Sequence, residues 1–202
     1  MNIKVEPFCD LELMWSKVLR DSRVTVNKHD LNKPPSIPFK VAILTSEHSP
    51  IRKLKFEVFM SDIPSYVSQH FSRHHIAINN TMLEEHIIPT DVEHFVQTSR
   101  TDRTGIDRSK LSQTALVDYN FEINAQGLID ASKLRLCLSA DKVTLQAWKL
   151  VKEQVYNILP ELANRMQPQC IVKGFCPYSK LTKCIFNKTM LYNELREKYI
   201  NI

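Results

Sequence analysis

Apolar residues recur along this chain with two periods, and the change from one to the other marks its elements. Leu11, Met14, Trp15, Val18 and Leu19 fall on one helical stripe behind Asp10, which predicts a capped helix over 10–20. Ile37, Val41 and Leu44 fit helical spacing in 37–45, although the branched content leaves a strand open. Leu54, Phe56, Val58 and Met60 then alternate with Lys53, Lys55 and Glu57, the period of a half-buried strand, until Phe59 breaks the last step. Ser61, Asp62 and Pro64 read as a helix start, with Ile63, Val67 and Phe71 on one face of a helix running to about His74. Val117, Tyr119, Phe121 and Ile123 predict a second strand, and Asn124 a cap for a helix over 125–137. Ser139 is the expected cap of a longer amphipathic helix carrying Val143, Trp148, Val151, Val155 and Ile158, which ends before Pro160.

Between these elements the pattern fades. Residues 76–94 are polar, with a small capping box at Thr81 and Glu84 and a break at Pro89, and read as an excursion or lid. The run from Phe95 to Gly105 is too polar for core and carries Arg100 and Arg103. Residues 160–202 mix a short helical piece, a cysteine-containing loop and a charged tail, and no internal repeat or low-complexity segment is present. The length and apolar content suit one sizeable core, a single domain over 1–202.

Composition removes some chemistry from consideration. There are three glycines, where average usage of roughly 7% would give about fourteen. A Walker loop or a dinucleotide fingerprint needs glycines clustered in one short run, and none is clustered here. A bound nucleotide would have to be held by side chains or helix ends. The net charge of +5 suits anionic ligands, yet no basic stripe interleaved with aromatics argues for nucleic acid. No apolar run approaches a membrane span and the amino terminus lacks a signal-peptide block, so the expectation is a cytoplasmic protein with reduced cysteines.

Four constellations can carry chemistry. Arg73-His74-His75 ends the third helix and offers a guanidinium fork beside imidazoles, or simply a basic helix end that suits the dipole. Thr98, Arg100 and Arg103 put a hydroxyl beside two guanidiniums, as a nucleotide monophosphate needs, or form a surface patch paired with Asp102 and Asp107. Asn124-Ala125-Gln126 opens a helix that later carries Arg135; the asparagine is a cap or a contact, and the arginine is exposed or functional. Cys137, Cys170, Cys176 and Cys184 supply four thiols for a zinc site, but five and seven intervening residues between the last three exceed common knuckle spacings, so buried or free thiols stand beside that reading.

Taken in order from Glu47 to about Trp148, half the chain, these motifs resemble the flavin-dependent thymidylate synthases, the ThyX family. Glu47-His48-Ser49-Pro50 resembles the family's His-x-Ser/Thr-Pro element, and Arg73-His74-His75 its flavin-contacting triplet with the last arginine replaced. Thr98-Ser99-Arg100 is similar to the Ser-x-Arg that holds the pyrimidine nucleotide, and Asn124-Ala125-Gln126 to the second flavin contact, Asn-x-Arg. Arg135 falls where the family sets an arginine against the uracil. Departures are an insertion within 76–94, Phe95-Val96 in place of Asn-Glu, Thr101 in place of tyrosine, and Gln126 in place of arginine.

The resemblance implies an α+β fold, a mixed or antiparallel sheet flanked by helices, assembled as a homotetramer with FAD and nucleotide sites at subunit boundaries. It also implies NADPH and methylenetetrahydrofolate as co-substrates, and transfer of a one-carbon unit to C5 of a pyrimidine deoxynucleotide, dUMP by default. Ser49, Arg73, His74, His75, Asn124 and Gln126 would then hold the flavin. His70, Thr98, Arg100, Arg103 and Arg135 would hold the nucleotide, with Arg135 polarising the ring. A hydroxymethylase of dUMP or dCMP, and an inactive nucleotide-binding homologue, are the competing outcomes.

Overall fold

The computed structural model describes residues 1–27, 34–72, 92–98 and 105–201. Four strands, β1 (Asn2–Pro7), β2 (Lys55–Pro64), β3 (Val92–Gln97) and β4 (Leu116–Asn124), form one sheet in the order β1-β2-β4-β3. All three pairings are antiparallel, which narrows the mixed-or-antiparallel expectation. The described helices are α1 (Leu11–Val24), α2 (Ile37–Thr45), α3 (Ser65–Ser72), α4 (Ala125–Arg135), α5 (Lys142–Ile158), α6 (Pro160–Arg165), α7 (Gln169–Lys173) and α8 (Met190–Ile200).

Period-two alternation builds the core face of the sheet. Ile3 and Val5 of β1, Phe56, Val58 and Met60 of β2, and Tyr119, Phe121 and Ile123 of β4 lie in register across the three strands, all buried. Helices cover that face. Trp148, Val151 and Val155 of α5, Val67 and Phe71 of α3, and Met14, Trp15 and Val18 of α1 complete the cluster. The Phe71 ring lies 5.2 Å from Trp148 and 6.2 Å from Phe121, centroid to centroid, so α3 and α5 meet over the middle of β4.

Several boundaries differ from the sequence expectation, each for a local reason. The turn formers at 61–64 continue β2 rather than starting a helix. Met60 faces Tyr119 and Ile63 faces Val117, so β2 carries one extra residue at a bulge, with Asp62 at φ 55°. The bulge returns Ile63 to the core face, and α3 starts only at Ser65. The amino-terminal residues, assigned no element from the sequence, are the edge strand β1. Residues 92–97, split between an excursion and a polar loop in the sequence reading, pair with β4 as β3; the rest of the excursion, including Thr81 and Glu84, lies outside the described residues. Asp141, not Ser139, caps α5, its carboxylate accepting from the Thr144 N–H at 2.9 Å. The charged tail is the helix α8, capped by Thr189. Residues 37–45 are helical, and Asp10 caps α1 as expected.

Candidate functional site

The candidate residues that can be placed gather at the two ends of α4. Its first end is fixed by backbone: the Ala125 N–H donates to the Leu54 carbonyl at 2.8 Å, which seats the 3-10 turn Ser49–Lys53 beside the helix start. Asn124 is buried and its side-chain oxygen accepts from the Gly127 N–H at 2.9 Å, so it does cap α4. Ser49 is exposed at the head of the turn. Gln126 is buried and its Nε2 donates to Glu47 at 2.6 Å and to Asp130 at 3.1 Å. Lys133, in the last turn of α4, reaches back to the same two carboxylates at 2.9 and 2.7 Å. Although burial opposes its charge, hydrogen bonds and attraction from Asp130 and Glu47 hold the Lys133 ammonium above its ordinary pKa. One atom of this network is left over: the Gln126 Oε1 is buried with no hydrogen-bond partner, an arrangement that costs roughly 1–3 kcal/mol.

The other end of α4 meets α3 and α5. Arg135 donates from Nη2 to the carbonyl of His70 at 2.5 Å, placing the guanidinium at the last turn of α3. The His70 ring in turn sits on α5, with Nδ1 2.8 Å from the hydroxyl of buried Thr144. That hydroxyl donates to Asp141 at 2.9 Å, because a carboxylate only accepts. Thr144 therefore takes the Nδ1 proton of His70, which fixes the tautomer and makes Nε2 the acceptor of the neutral ring. Burial raises the Asp141 pKa, but the Thr144 hydrogen bonds and the charge of His70 bring it below the ordinary carboxylate value. The Tyr66 ring stands edge-on to His70, centroids 5.8 Å apart.

The sheet adds a third piece. Gln97, the last residue of β3, accepts at Oε1 from the Ser68 hydroxyl at 2.7 Å, so the end of β3 lies against α3. Thr98 follows, and its hydroxyl accepts the Asp118 N–H at 2.9 Å while its own N–H donates to the Asp118 carbonyl. The Thr98 hydroxyl thus also closes the β3–β4 ladder, at the strand end that leads in sequence to Arg100. Arg73, His74, His75, Arg100 and Arg103 lie outside the described residues, the first three directly beyond α3 and the arginines of 100–103 directly beyond Thr98.

The cysteines form a separate feature. Cys137, just past α4, Cys170 on α7, and Cys176 and Cys184 in the following loop all line one pocket, with Lys133 and Phe186 beside them. Burial pushes the Cys170 thiol up to about 11, and Cys137 and Cys176 add to the rise. All are free thiols. Among the described residues no group of three or more His, Cys, Asp or Glu side chains is close enough, as placed, to hold a metal ion.

Sequence reasoning did not identify Glu47 and Asp130 as the partners of Gln126, nor Lys133 as the second donor to them, nor Asp141 and Thr144 as the support of His70. Part of this was legible, since Gln126, Asp130 and Lys133 are four and three apart and so share a helix face. The 79-residue separation between Glu47 and Gln126 carries no such local signal.

No protein-family model and no curated protein matches the sequence. The α+β fold, however, is similar to that of flavin-dependent thymidylate synthases of known structure. The chain is similar in structure to ThyX from Helicobacter pylori solved with FAD and dUMP, at TM-score 0.57 and 12% identity over 81% of this chain and 99% of that one. It is similar to the UMP/dUMP methylase PolB from Streptomyces cacaoi bound with 5-Br dUMP, at TM-score 0.57 and 12% identity over 86% and 96% of the two chains. A second Helicobacter pylori ThyX structure with FAD and dUMP aligns at TM-score 0.54 and 13% identity, over 82% and 99%. The resemblance first carried by short motifs thus holds for the fold as a whole. No helix among the described residues is long and apolar enough to cross a membrane.

Proposed function

We propose that the chain is an FAD-dependent enzyme that moves a one-carbon unit from methylenetetrahydrofolate to C5 of a pyrimidine deoxynucleotide, dUMP by default, with NADPH as reductant. The observation that carries this reading is the tie between Arg135 and His70. It sets the arginine expected to face the pyrimidine at the end of α3, directly before Arg73-His74-His75, in a chain with the ThyX fold. An arginine fork against the ring carbonyls stabilises negative charge there and makes C5 nucleophilic without a cysteine or serine attacking group. His70, held by Thr144 and Asp141, would orient the nucleotide. Arg100 and Arg103 would hold its phosphate, with Thr98 ordering the strand end that leads to them.

The residues at the first end of α4 fit the polar edge of a flavin in one respect. The Gln126 Oε1 is a buried acceptor in want of a donor, and the imide N–H of a flavin ring is such a donor. Ser49, Asn124 and Gln126 would therefore hold the ring, with Arg73, His74 and His75 holding the cofactor from beyond α3. The redox chemistry is what FAD supplies when bound. The two groups of residues stand at opposite ends of an eleven-residue helix, about 15 Å long, which suits sites completed by other copies in a homotetramer.

The test is the absorption spectrum of purified protein with and without dUMP, followed by mass spectrometry of products from dUMP and dCMP. Bound flavin whose spectrum changes with dUMP, and a methylated dUMP product, are expected; a hydroxymethylated product or turnover of dCMP would redirect the chemistry. Colourless protein that takes up no FAD would overturn the reading. Arg135→Ala is expected to abolish turnover with FAD retained, whereas Arg73→Ala weakens FAD; the reverse pattern would exchange the two roles.

One observation favours a second reading, an inactive homologue that binds nucleotide. Where the family has an arginine, Gln126 spends both amide hydrogens on Glu47 and Asp130. Tight dUMP binding without turnover under NADPH and methylenetetrahydrofolate would select it.

A further inference from the structure

We propose that Cys137, Cys170, Cys176 and Cys184 are the ligands of a structural zinc ion that fastens the C-terminal segment to α4. The inference is independent of the nucleotide reading. Five cysteines occur in the chain. Cys9 is exposed between β1 and α1, and the other four, drawn from three separate segments, line the same pocket. The chain is turned to make this possible: α7 carries Cys170 and ends at Gly174 in the left-handed region, φ 80°, which reverses the backbone and returns Cys176 to the pocket. The turn explains why the spacing is wider than in a knuckle, since the chelate loop contains the end of a helix.

The surrounding segment needs a fastening. The main hydrophobic cluster ends at Met166, and beyond it only Ile171 and Tyr192 are buried apolar side chains among the described residues. Leu181 and Met190 are 82% and 80% exposed. A stretch of this size without a core of its own is where small folds use disulfides or metals. Arg196 donates to the Ile171 and Val172 carbonyls and Tyr192 to that of Cys170, which holds α8 to α7, and Arg165 donates to the Tyr199 carbonyl, which holds α8 to α6, but none of these ties joins α7 to α4. A tetrathiolate site would do the second. It would carry a net charge of about −2, beside the Lys133 ammonium, which already pairs with Glu47 and Asp130.

Zinc with four thiolates at about 2.3 Å needs sulfur atoms roughly 3.8 Å apart. As placed, no three of the thiols meet that requirement. Turning χ1 to the next staggered well moves a Sγ by roughly 3 Å, so the closure asks for side-chain rotation and a tightening of the 176–184 loop.

The test uses the full chain purified without chelator, with zinc measured by plasma mass spectrometry and thiols by a chromogenic disulfide reagent under native conditions. About one zinc per chain, with Cys9 the fast-reacting thiol, is expected. Cys176→Ser and Cys184→Ser should each lower zinc at least about tenfold, and Cys9→Ser should keep it. Should those variants not fold, cobalt exchange into the unaltered chain reads the same ligands: intense tetrahedral d–d bands with sulfur-to-metal charge transfer are expected. Near-zero zinc with all five thiols reactive, a mass deficit of two hydrogens marking a disulfide, or cobalt spectra lacking the sulfur band would each overturn the site.

Discussion

The two ends of α4 use charge in different ways. On the face that begins at the first end, two carboxylates, an ammonium and an amide satisfy one another, and the single leftover is an acceptor, the Gln126 Oε1. At the last end a guanidinium is bound to a backbone carbonyl, and an imidazole is oriented through a hydroxyl by a carboxylate. The first network closes on itself apart from that acceptor, while the second ties α4 and α5 to the last turn of α3. The difference teaches that substitutions at the first end should be read mainly in stability, and at the last end mainly in what the nucleotide experiences.

Breaking the frame that both ends share has the largest expected effect. Trp148 of α5 stacks on Phe71 and donates from Nε1 to the Ser132 hydroxyl of α4 at 2.8 Å, fully buried. Trp148→Ala should lower unfolding free energy by about 3–5 kcal/mol, measured by urea denaturation, and blur the distinction because both ends lose their seat. A loss below about 1 kcal/mol would mean that the helices are not held together as described. Glu47→Gln comes next. It keeps the shape but removes the charge that Lys133 and Gln126 bind, and the side chains of the Glu47–Lys133 pair are only 28% and 21% exposed. A loss of about 2 kcal/mol is expected, with dUMP affinity unchanged by calorimetry. A change in dUMP affinity without a stability loss would reverse the assignment of the two ends.

What was legible in the sequence follows from range. Strand cores at Phe56 to Met60 and Val117 to Ile123, and the caps Asp10 and Asn124, depend on neighbours within four residues and were found. β3 was not, because Val92–Gln97 has little alternation and takes its place from pairing with β4. The cap of α5 was misassigned because Ser139 and Asp141 are both competent, and only Asp141 lies three residues before the N–H it accepts. For the site, the family resemblance named Arg135 and His70 together, yet Glu47 as the partner of Gln126 and Lys133, and Thr144 as the support of His70, come from contacts 74 to 86 residues apart. The bond that Thr98 makes to the Asp118 N–H is likewise set by strand pairing and carries no signal among its sequence neighbours.

The smallest effect discriminates most sharply between the ends. Asp141 is exposed, and its value lies in the Thr144 N–H and hydroxyl that it accepts. Asp141→Ala should cost about 1 kcal/mol, the usual loss for a cap. Because the folded-state pKa lies below the unfolded one, the ionised carboxylate stabilises the fold above the ordinary carboxylate range. That contribution is lost as pH falls through the lowered value. Denaturation of wild type and variant should therefore differ at pH 7 and converge toward acid, while Glu47→Gln tests the other end at pH 7 alone. The variant also frees the Thr144 hydroxyl to turn toward the His70 Nδ1, so the tautomer is no longer imposed. Nitrogen chemical shifts of the His70 ring read this directly: Nδ1–H in wild type at neutral pH, and a mixture in Asp141→Ala. An unchanged tautomer would show that Asp141 serves α5 only as a cap and leaves the orientation of His70 to Thr144 alone.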